Sequence, residues 1–268
     1  MQADSLNRAG EGRRLRGPEE ASGAAAGRRS RLVAGLVDSD ELLRQAQALR
    51  HDIFQAEYGV VFDSADGLDQ DAFDAHCRHL VVREAESGRV VATTRLLSSE
   101  QAVIAGGYYS EAEFDMQSLK AVLTGPVLEI GRTCVHPDYR QGSAITLLWS
   151  ALAELLVRDG YAYLLGCASI GLSDGGALYA SLMPRLLQDN LVEPAYRVQP
   201  RLPVPEQATG AVSMATPPLL KAYMRMGAQI CGPACWDPAF DCADVFVLLD
   251  VSKLVGKYAS RFIDRVAC

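Results

Sequence analysis

The stretch from Val127 to Val135 constrains the fold more than any other. It is an apolar, β-branched run stopped by His136 and Pro137, and Gly142 then opens an apolar-striped helix that runs through Arg158. The local order is strand, short loop, helix. Upstream, an Asp38 or Ser39 N-cap precedes Leu42, Ala46, Leu49 and Ile53, whose spacing by three or four predicts a helix over 40–58 ending near Gly59. His79 to Arg83 and Arg89 to Leu97 flank Glu86, Ser87 and Gly88, the composition of an antiparallel hairpin. Downstream, Tyr161 to Ala168 reads as a buried strand, Asp174 to Leu187 as a helix, and Glu193 to Glu206 as a Pro-rich extended excursion. Pro217 and Pro218 begin a helix carrying Leu219, Leu220, Tyr223 and Met226 and closed by Gly227. Asp244 to Val251 is a final strand before an amphipathic tail helix. The sum is a mixed α/β (α+β) fold, a central mixed sheet with helices on both faces, in one domain over residues 32–268.

Composition narrows the function classes. The 268 residues are 49% apolar and 22% charged, ordinary for a globular protein, and the net charge of -7 argues against nucleic acid as a partner while suiting a cationic substrate. Seven scattered cysteines in so long a chain are expected to be reduced thiols. Neither His76, Cys77 and His79 nor Cys231, Cys235 and Cys242 has the paired spacing of a zinc site, so no metal is expected. No apolar run reaches the roughly 18 residues of a bilayer span and the start lacks a secretory pattern, so a cytoplasmic protein is expected. Residues 1–31 are rich in Gly, Ala, Ser and Arg and are expected to be a disordered tail. Arg8, Arg13, Arg14, Arg16, Arg28, Arg29 and Arg31 suit a peripheral contact with the anionic inner membrane as well as a merely solvated tail.

At Leu128 to Arg140 the chain reads LEIGRTCVHPDYR, and with LRHDIF (Leu49 to Phe54), LDQDAFDAHCRHLVV (Leu68 to Val82), TTRLL (Thr93 to Leu97), LLGCASI (Leu164 to Ile170) and PPLLKAYMRMGA (Pro217 to Ala228) it resembles one family in order. That family is the ornithine acyl-carrier-protein N-acyltransferases, the haemolysin-like ornithine lipid branch of the GNAT superfamily. Arg50, Phe54, Asp71, Asp74, Arg95, Glu129 and Arg132 also match positions of the related acyl-homoserine-lactone synthases. The resemblance implies a GNAT-like acyltransferase fold. It implies transfer of a 3-hydroxyacyl group from acyl carrier protein to the α-amine of ornithine, giving lyso-ornithine lipid. The partners would then be acyl carrier protein and a small amino acid. No cofactor would be bound, and the acyl-phosphopantetheine of the carrier would be the donor substrate. Another acceptor, giving an N-acyl amino acid or an acyl-homoserine lactone, and a non-catalytic acyl- or membrane-binding module are the alternatives.

Amide formation from a thioester requires a neutral amine, a proton acceptor and donors for the developing oxyanion. Glu129 is the candidate base and Arg132 the second member of the shared E-x-x-R pair; bracing of the sheet by an ion pair from Glu129 to Arg132 or Arg95 is the alternative. Strand alternation sends Glu129 and Arg132 to opposite faces, so the resemblance implies a bulge, for which Gly131 is suited. Asp71 and Asp74, with Asp66 and Asp69 beside them, are expected either to receive an acceptor's ammonium groups or to form a solvated acidic loop. Arg50 and Arg95 pair either with these acids or with the acceptor's carboxylate. Arg140, Gln141, Gly142 and Ser143 sit where the family holds phosphate at a helix N-terminus. Gly142 follows Arg140 too soon and a second glycine is missing, which favours the single phosphodiester of a carrier arm over coenzyme A. Cys134 is expected to be a buried thiol rather than a nucleophile, and His136 is either a second proton acceptor or a packing residue.

Overall fold

A computed structural model describes residues 31–62, 64–205 and 216–254. The Arg-rich stretch below Arg31 and the tail helix expected beyond Leu254 lie outside the described residues.

β1 (Leu32–Leu36) precedes the first element that periodicity picks out. It is short, Gly-containing and half-exposed, so it carries no alternation to read. α1 (Asp40–Tyr58) has the predicted bounds: Ser39 caps it, its side chain accepting from Leu42 N, and Gly59 ends it at φ 67°. β2 (Arg78–Glu84) and β3 (Val90–Ser98) form the hairpin. Next come α2 (Ser99–Ala105), a 3₁₀ turn over Tyr109–Ala112, β4 (Phe114–Asp115) and α3 (Gln117–Val122). These short pieces have no sequence period and were not expected as elements. β5 (Val127–Val135) keeps its predicted bounds, and α4 (Ala144–Arg158) starts two residues past Gly142. β6 (Tyr163–Gly171) and α5 (Ala177–Asn190) lie later than the sequence pattern suggested. α5 is delayed because Gly175 and Gly176 both take positive φ, which no helix start tolerates earlier. The Pro-rich excursion contains a 3₁₀ turn and β7 (Gln199–Pro200), which pairs with β4. α6 (Pro218–Met226), β8 (Gln229–Ile230), β9 (Cys235–Asp237) and β10 (Cys242–Asp250) complete the described chain.

The main sheet has the order β1-β2-β3-β5-β6-β10-β8, with β9 also on β10; β5 and β6 are parallel and the other pairs antiparallel. Helices cover both faces. Leu80, Val82, Leu96 and Ile130 pack with Leu148, Leu152 and Leu156 of α4 and with Leu220 and Tyr223 of α6. On the opposite face, Val81, Val90 and Cys134 meet Ala46, Leu49, Ile53 and Phe54 of α1. The alternation of neighbouring residues such as Val81 and Val82 to opposite faces is the period-two geometry of a strand.

Two irregularities open the middle of this sheet. Thr93 pairs with Cys134 and Arg95 with Gly131, so Arg132 and Thr133 together face Thr94 alone. The bulge is therefore at Arg132 and Thr133, not at Gly131: Gly131 keeps its partner, while Arg132 takes φ 52°. The second irregularity is a splay. β5 and β6 run paired from Val127↔Tyr163 only as far as Ile130↔Gly166, after which β6 continues to pair with β10 to Gly171. At the branch point a Cβ on Gly166 would stand 2.4 Å from Ile130 O. Gly166→Ala is expected to force these strands apart and cost about 1–3 kcal/mol, read from urea unfolding. Gly131→Ala, whose Cβ meets nothing within 4 Å, should change stability by under about 0.5 kcal/mol.

Candidate active site

Beyond the branch point lies a cavity of about 320 Å³, lined by the bulged half of β5, by Cys167 and Ser169 of β6, by α1 and by the start of α6. Two groups of charged residues stand at it, and they differ in how they are neutralised.

The first group is a closed set of three arginines and three aspartates. Arg50, fully buried in α1, donates from Nε to Asp69 Oδ2 at 2.9 Å, from Nη1 to Asp74 Oδ1 at 2.9 Å, and to the Asp69 carbonyl. Arg95 Nη1 reaches Asp71 Oδ1 at 2.6 Å and Asp74 Oδ2 at 3.2 Å. Arg132 Nε lies 3.2 Å from Asp69 Oδ2 and its Nη2 3.7 Å from Asp71 Oδ2. Burial works against ionisation of Asp74, but Arg50 and Arg95 hold its carboxyl well below the usual range. The loop carboxylates thus serve the protein's own guanidinium groups. Asp71 and Asp74, expected either to receive an acceptor's ammonium or to form a solvated acidic loop, are paired with arginines here, and Arg50 has no exposed surface to offer a carboxylate. Arg95 and Arg132 alone of this group line the cavity. Arg132 is further framed by the rings of Tyr109, Phe240 and Phe54 at 5.1, 5.4 and 6.0 Å, and donates to Tyr109 Oη at 3.2 Å.

Glu129 is buried at the cavity wall and makes no ion pair with Arg132 or Arg95 among the described residues. Its Oε2 accepts from Tyr109 N at 2.7 Å, and its Oε1 from Ser110 N at 2.9 Å and Ser110 Oγ at 2.6 Å. Burial pushes its pKa up, and these donors oppose the rise. Ser110 Oγ lies 3.5 Å from Cys167 Sγ. The 3₁₀ turn over Tyr109–Ala112 that supplies the donors is tied down through Arg201, whose N donates to Glu113 O at 2.7 Å and whose Nε donates to Glu111 O at 2.8 Å.

The second group was not anticipated. Glu113, Asp237 and Asp244 also line the cavity. Burial, together with the charges of Asp244 and Asp237, pushes Glu113 up to about 8, and burial with Asp237 pushes Asp244 up to about 6. The only sequence signal was acidic and aromatic residues mixed without a period around Tyr108 to Glu113, and strand positions in Asp237 and Asp244 that a core would not choose.

The remaining expected residues fall at the rim. Gln141, Gly142 and Ser143 are exposed at the start of α4, which has no side-chain cap from Ser143. Arg140 is turned to the Val135 carbonyl and to Glu57. Cys134 is buried, and burial raises its thiol to about 12, so it stays protonated. His136 stands at the start of the Pro137–Tyr139 turn, its Nδ1 3.3 Å from Asp138 N and its Nε2 2.7 Å from Arg89 Nη2. Among the described residues, Asp237, Cys242 and Asp244 bring possible metal-ligand atoms within 4.8 Å of one another. Burial and the neighbouring carboxylates push the Cys242 thiol far up, which makes it a poor metal ligand.

A family model described as an acetyltransferase (GNAT) domain matches residues 49–150. The chain is 33% identical over 255 residues to the L-ornithine N(alpha)-acyltransferase of Brucella abortus, covering 88% of this chain and 90% of that one. It is 35% identical over 244 residues to the protein of the same name from Rhodobacter capsulatus, covering 85% and 93%. The crystal structure of the AHL synthase LasI shares the fold, with a TM-score of 0.53 at 14% identity over 86% of this chain and 96% of that one.

Arg50→Met is expected to cost about 3–5 kcal/mol in chemical unfolding, because it strands Asp69 and Asp74 in the interior. A second outcome concerns pH. Glu113, raised from 4.5 to about 8, holds a proton in the folded state that the unfolded chain has released, so stability falls as pH rises between those values. The melting temperature of the wild type should drop from roughly pH 5 to 8, and Glu113→Gln should flatten that slope, leaving the part below about pH 6 that belongs to Asp244.

Proposed function

The chain belongs to the L-ornithine N(alpha)-acyltransferase family, and from that premise we propose that it moves a 3-hydroxyacyl group from the phosphopantetheine thioester of acyl carrier protein to the α-amine of ornithine, yielding lyso-ornithine lipid. The observation that carries this reading is the splay past Ile130 and Gly166, beside a cavity lined by both charged and apolar residues. A pantetheine arm entering beside the start of α4 would lie along the unpaired edge of β5 with its thioester at the bulge. Ile53, Phe54, Leu97, Ile145 and Leu219 offer apolar surface to an acyl chain.

In this reading the amine nitrogen attacks the thioester carbonyl, the C–N bond forms, and the C–S bond breaks. The N–H groups of Arg132 and Thr133, outside the regular ladder, are the donors available to the oxyanion. The amine's proton passes through Ser110 Oγ to Glu129, 2.6 Å away, and the departing pantetheine sulfur is reprotonated as its thiol. Arg132 presents its half-paired guanidinium to the acceptor's carboxylate, held in place by Asp69 and Tyr109. The carrier is preferred over coenzyme A because Arg140, which a diphosphate would need, is engaged by Val135 and Glu57. Residues 32–268 are taken as one acyltransferase domain, working in the cytoplasm. The arginines between Arg8 and Arg31 favour contact with an anionic membrane surface, where a lysolipid product would be released. No helix among the described residues is long and apolar enough to cross a membrane.

The test is a purified protein given 3-hydroxyacyl-acyl carrier protein and a panel of amino acids, with products read by mass spectrometry. Ornithine should discharge the thioester, and Glu129→Gln should lower kcat by about 10²–10⁴. If ornithine consumes no thioester while glycine, lysine or glutamine does, the acceptor is wrong; if Glu129→Gln turns over at the wild-type rate, Glu129 is not the proton acceptor.

A further inference from the structure

Glu113, Asp237 and Asp244 line the cavity together, and among the described residues no cation of the protein's own pairs with them. Glu113 directs a carboxylate oxygen, Oε2, to a buried position where it has no hydrogen-bond partner. Asp244 is 5% exposed on β10, its Oδ1 accepting from Ser169 Oγ at 2.6 Å. Asp237 comes from the neighbouring strand β9, where Asp237 pairs with Cys242 and Cys235 with Asp244. None of the three makes an ion pair among the described residues, whereas Asp69, Asp71 and Asp74 each have an arginine. Arg132, the guanidinium whose charge reaches Asp244, is already committed to Asp69 and Asp71.

Uncompensated carboxylates in a desolvated wall are costly, and a chain can neutralise them with protons or with a ligand. A ligand explains two further facts. The three acids line the same cavity as Arg95 and Arg132, so groups of both charge types face one space. The groups also come from three separate segments, before β4, on β9 and on β10, so their convergence is a property of the tertiary fold rather than of one acidic loop.

Resting on the acylation reading above, we propose that Glu113, Asp237 and Asp244 form the subsite for the side-chain ammonium of a diamino acid acceptor, and so determine the preference for a cationic over a neutral amino acid. With the acceptor's carboxylate at Arg132, its side chain extends away from the bulge to this wall and its α-amine stays at the thioester. Burial raises both Glu113 and Asp244 and repulsion from neighbouring acids adds to it, and a bound ammonium would offset that repulsion.

The experiment compares ornithine with norvaline, which has the same carbon chain without the terminal amine, as acceptors for the wild type, Glu113→Gln, Asp244→Asn and Asp237→Asn, with 3-hydroxyacyl-acyl carrier protein as donor. The wild type should prefer ornithine. Each variant should lose about 10- to 100-fold in kcat/KM for ornithine, mostly through KM, while norvaline turnover changes far less, so that the ratio collapses. Ornithine should raise the melting temperature of the wild type and not of the variants. Because each change removes an acid from a wall where like charges repel, the variants should melt at or above the wild-type temperature at pH 8 and above, and the half-exposed Asp237 covers the case in which the buried Asp244 variant fails to fold. A wild type that acylates neither amino acid overturns the acylation reading itself. A wild type that acylates ornithine, with variants that keep its ornithine-to-norvaline ratio, overturns the subsite alone.

Discussion

The buried set of Arg50, Arg95 and Arg132 with Asp69, Asp71 and Asp74 is the constraint around which the rest of the structure is arranged. A guanidinium with no exposed surface is tolerable only if its charge and its donors are met inside, and Arg50 on α1 meets that condition through two aspartates and a backbone carbonyl. That fixes α1 against the loop that carries the aspartates. Arg95 and Arg132 draw β3 and the bulged part of β5 into the same set, so four chain segments share one electrostatic register. Three positive and three negative charges balance within the set, and of its members only Arg95 and Arg132 reach the cavity.

The bulge and the splay follow from neighbouring demands on the same stretch of β5. Arg132 must turn toward Asp69 and Asp71, which the regular alternation of a strand started at Glu129 would not allow, and a positive φ at Arg132 supplies the turn. Past Ile130 the strand no longer follows β6, and Gly166 marks the last point of close approach. The space so created is walled by elements that are individually unremarkable. The 3₁₀ turn at Tyr109 is held by Glu129 from one side and Arg201 from the other, which makes Glu129 a brace for the wall as well as the group placed to take a proton.

The contrast between the two acidic groups bears on function. Both contain three carboxylates, yet one is neutralised within the chain and the other is not. Asp71 and Asp74, which charge complementarity suggested for the acceptor's ammonium, belong to the neutralised group, while Glu113, Asp237 and Asp244, without an ion pair among the described residues, lie on segments that carry no motif. A zwitterionic amino acid with a second amine matches the polarity of the cavity, from Arg132 to Glu113, better than a neutral one does.

The sequence by itself determined the helices and strands long enough to show a period: α1, the hairpin of β2 and β3, β5 with α4 behind it, and β10. It also determined the family, through motifs spread along the chain. Burial of an apolar stripe is a local demand, written every second or every third to fourth residue, so it survives reading without coordinates. Elements of two to seven residues, such as β4 and α2, were not legible, because they are held by partners far away in the chain, as Arg201 holds the turn before Glu113. Only the tertiary structure decided that the bulge sits at Arg132 instead of Gly131, that Asp71 and Asp74 serve arginines, and that Glu113, Asp237 and Asp244 converge. Charge pairing and desolvation depend on distance through space, and residues 20 to more than 100 positions apart in the chain have no local pattern that encodes it.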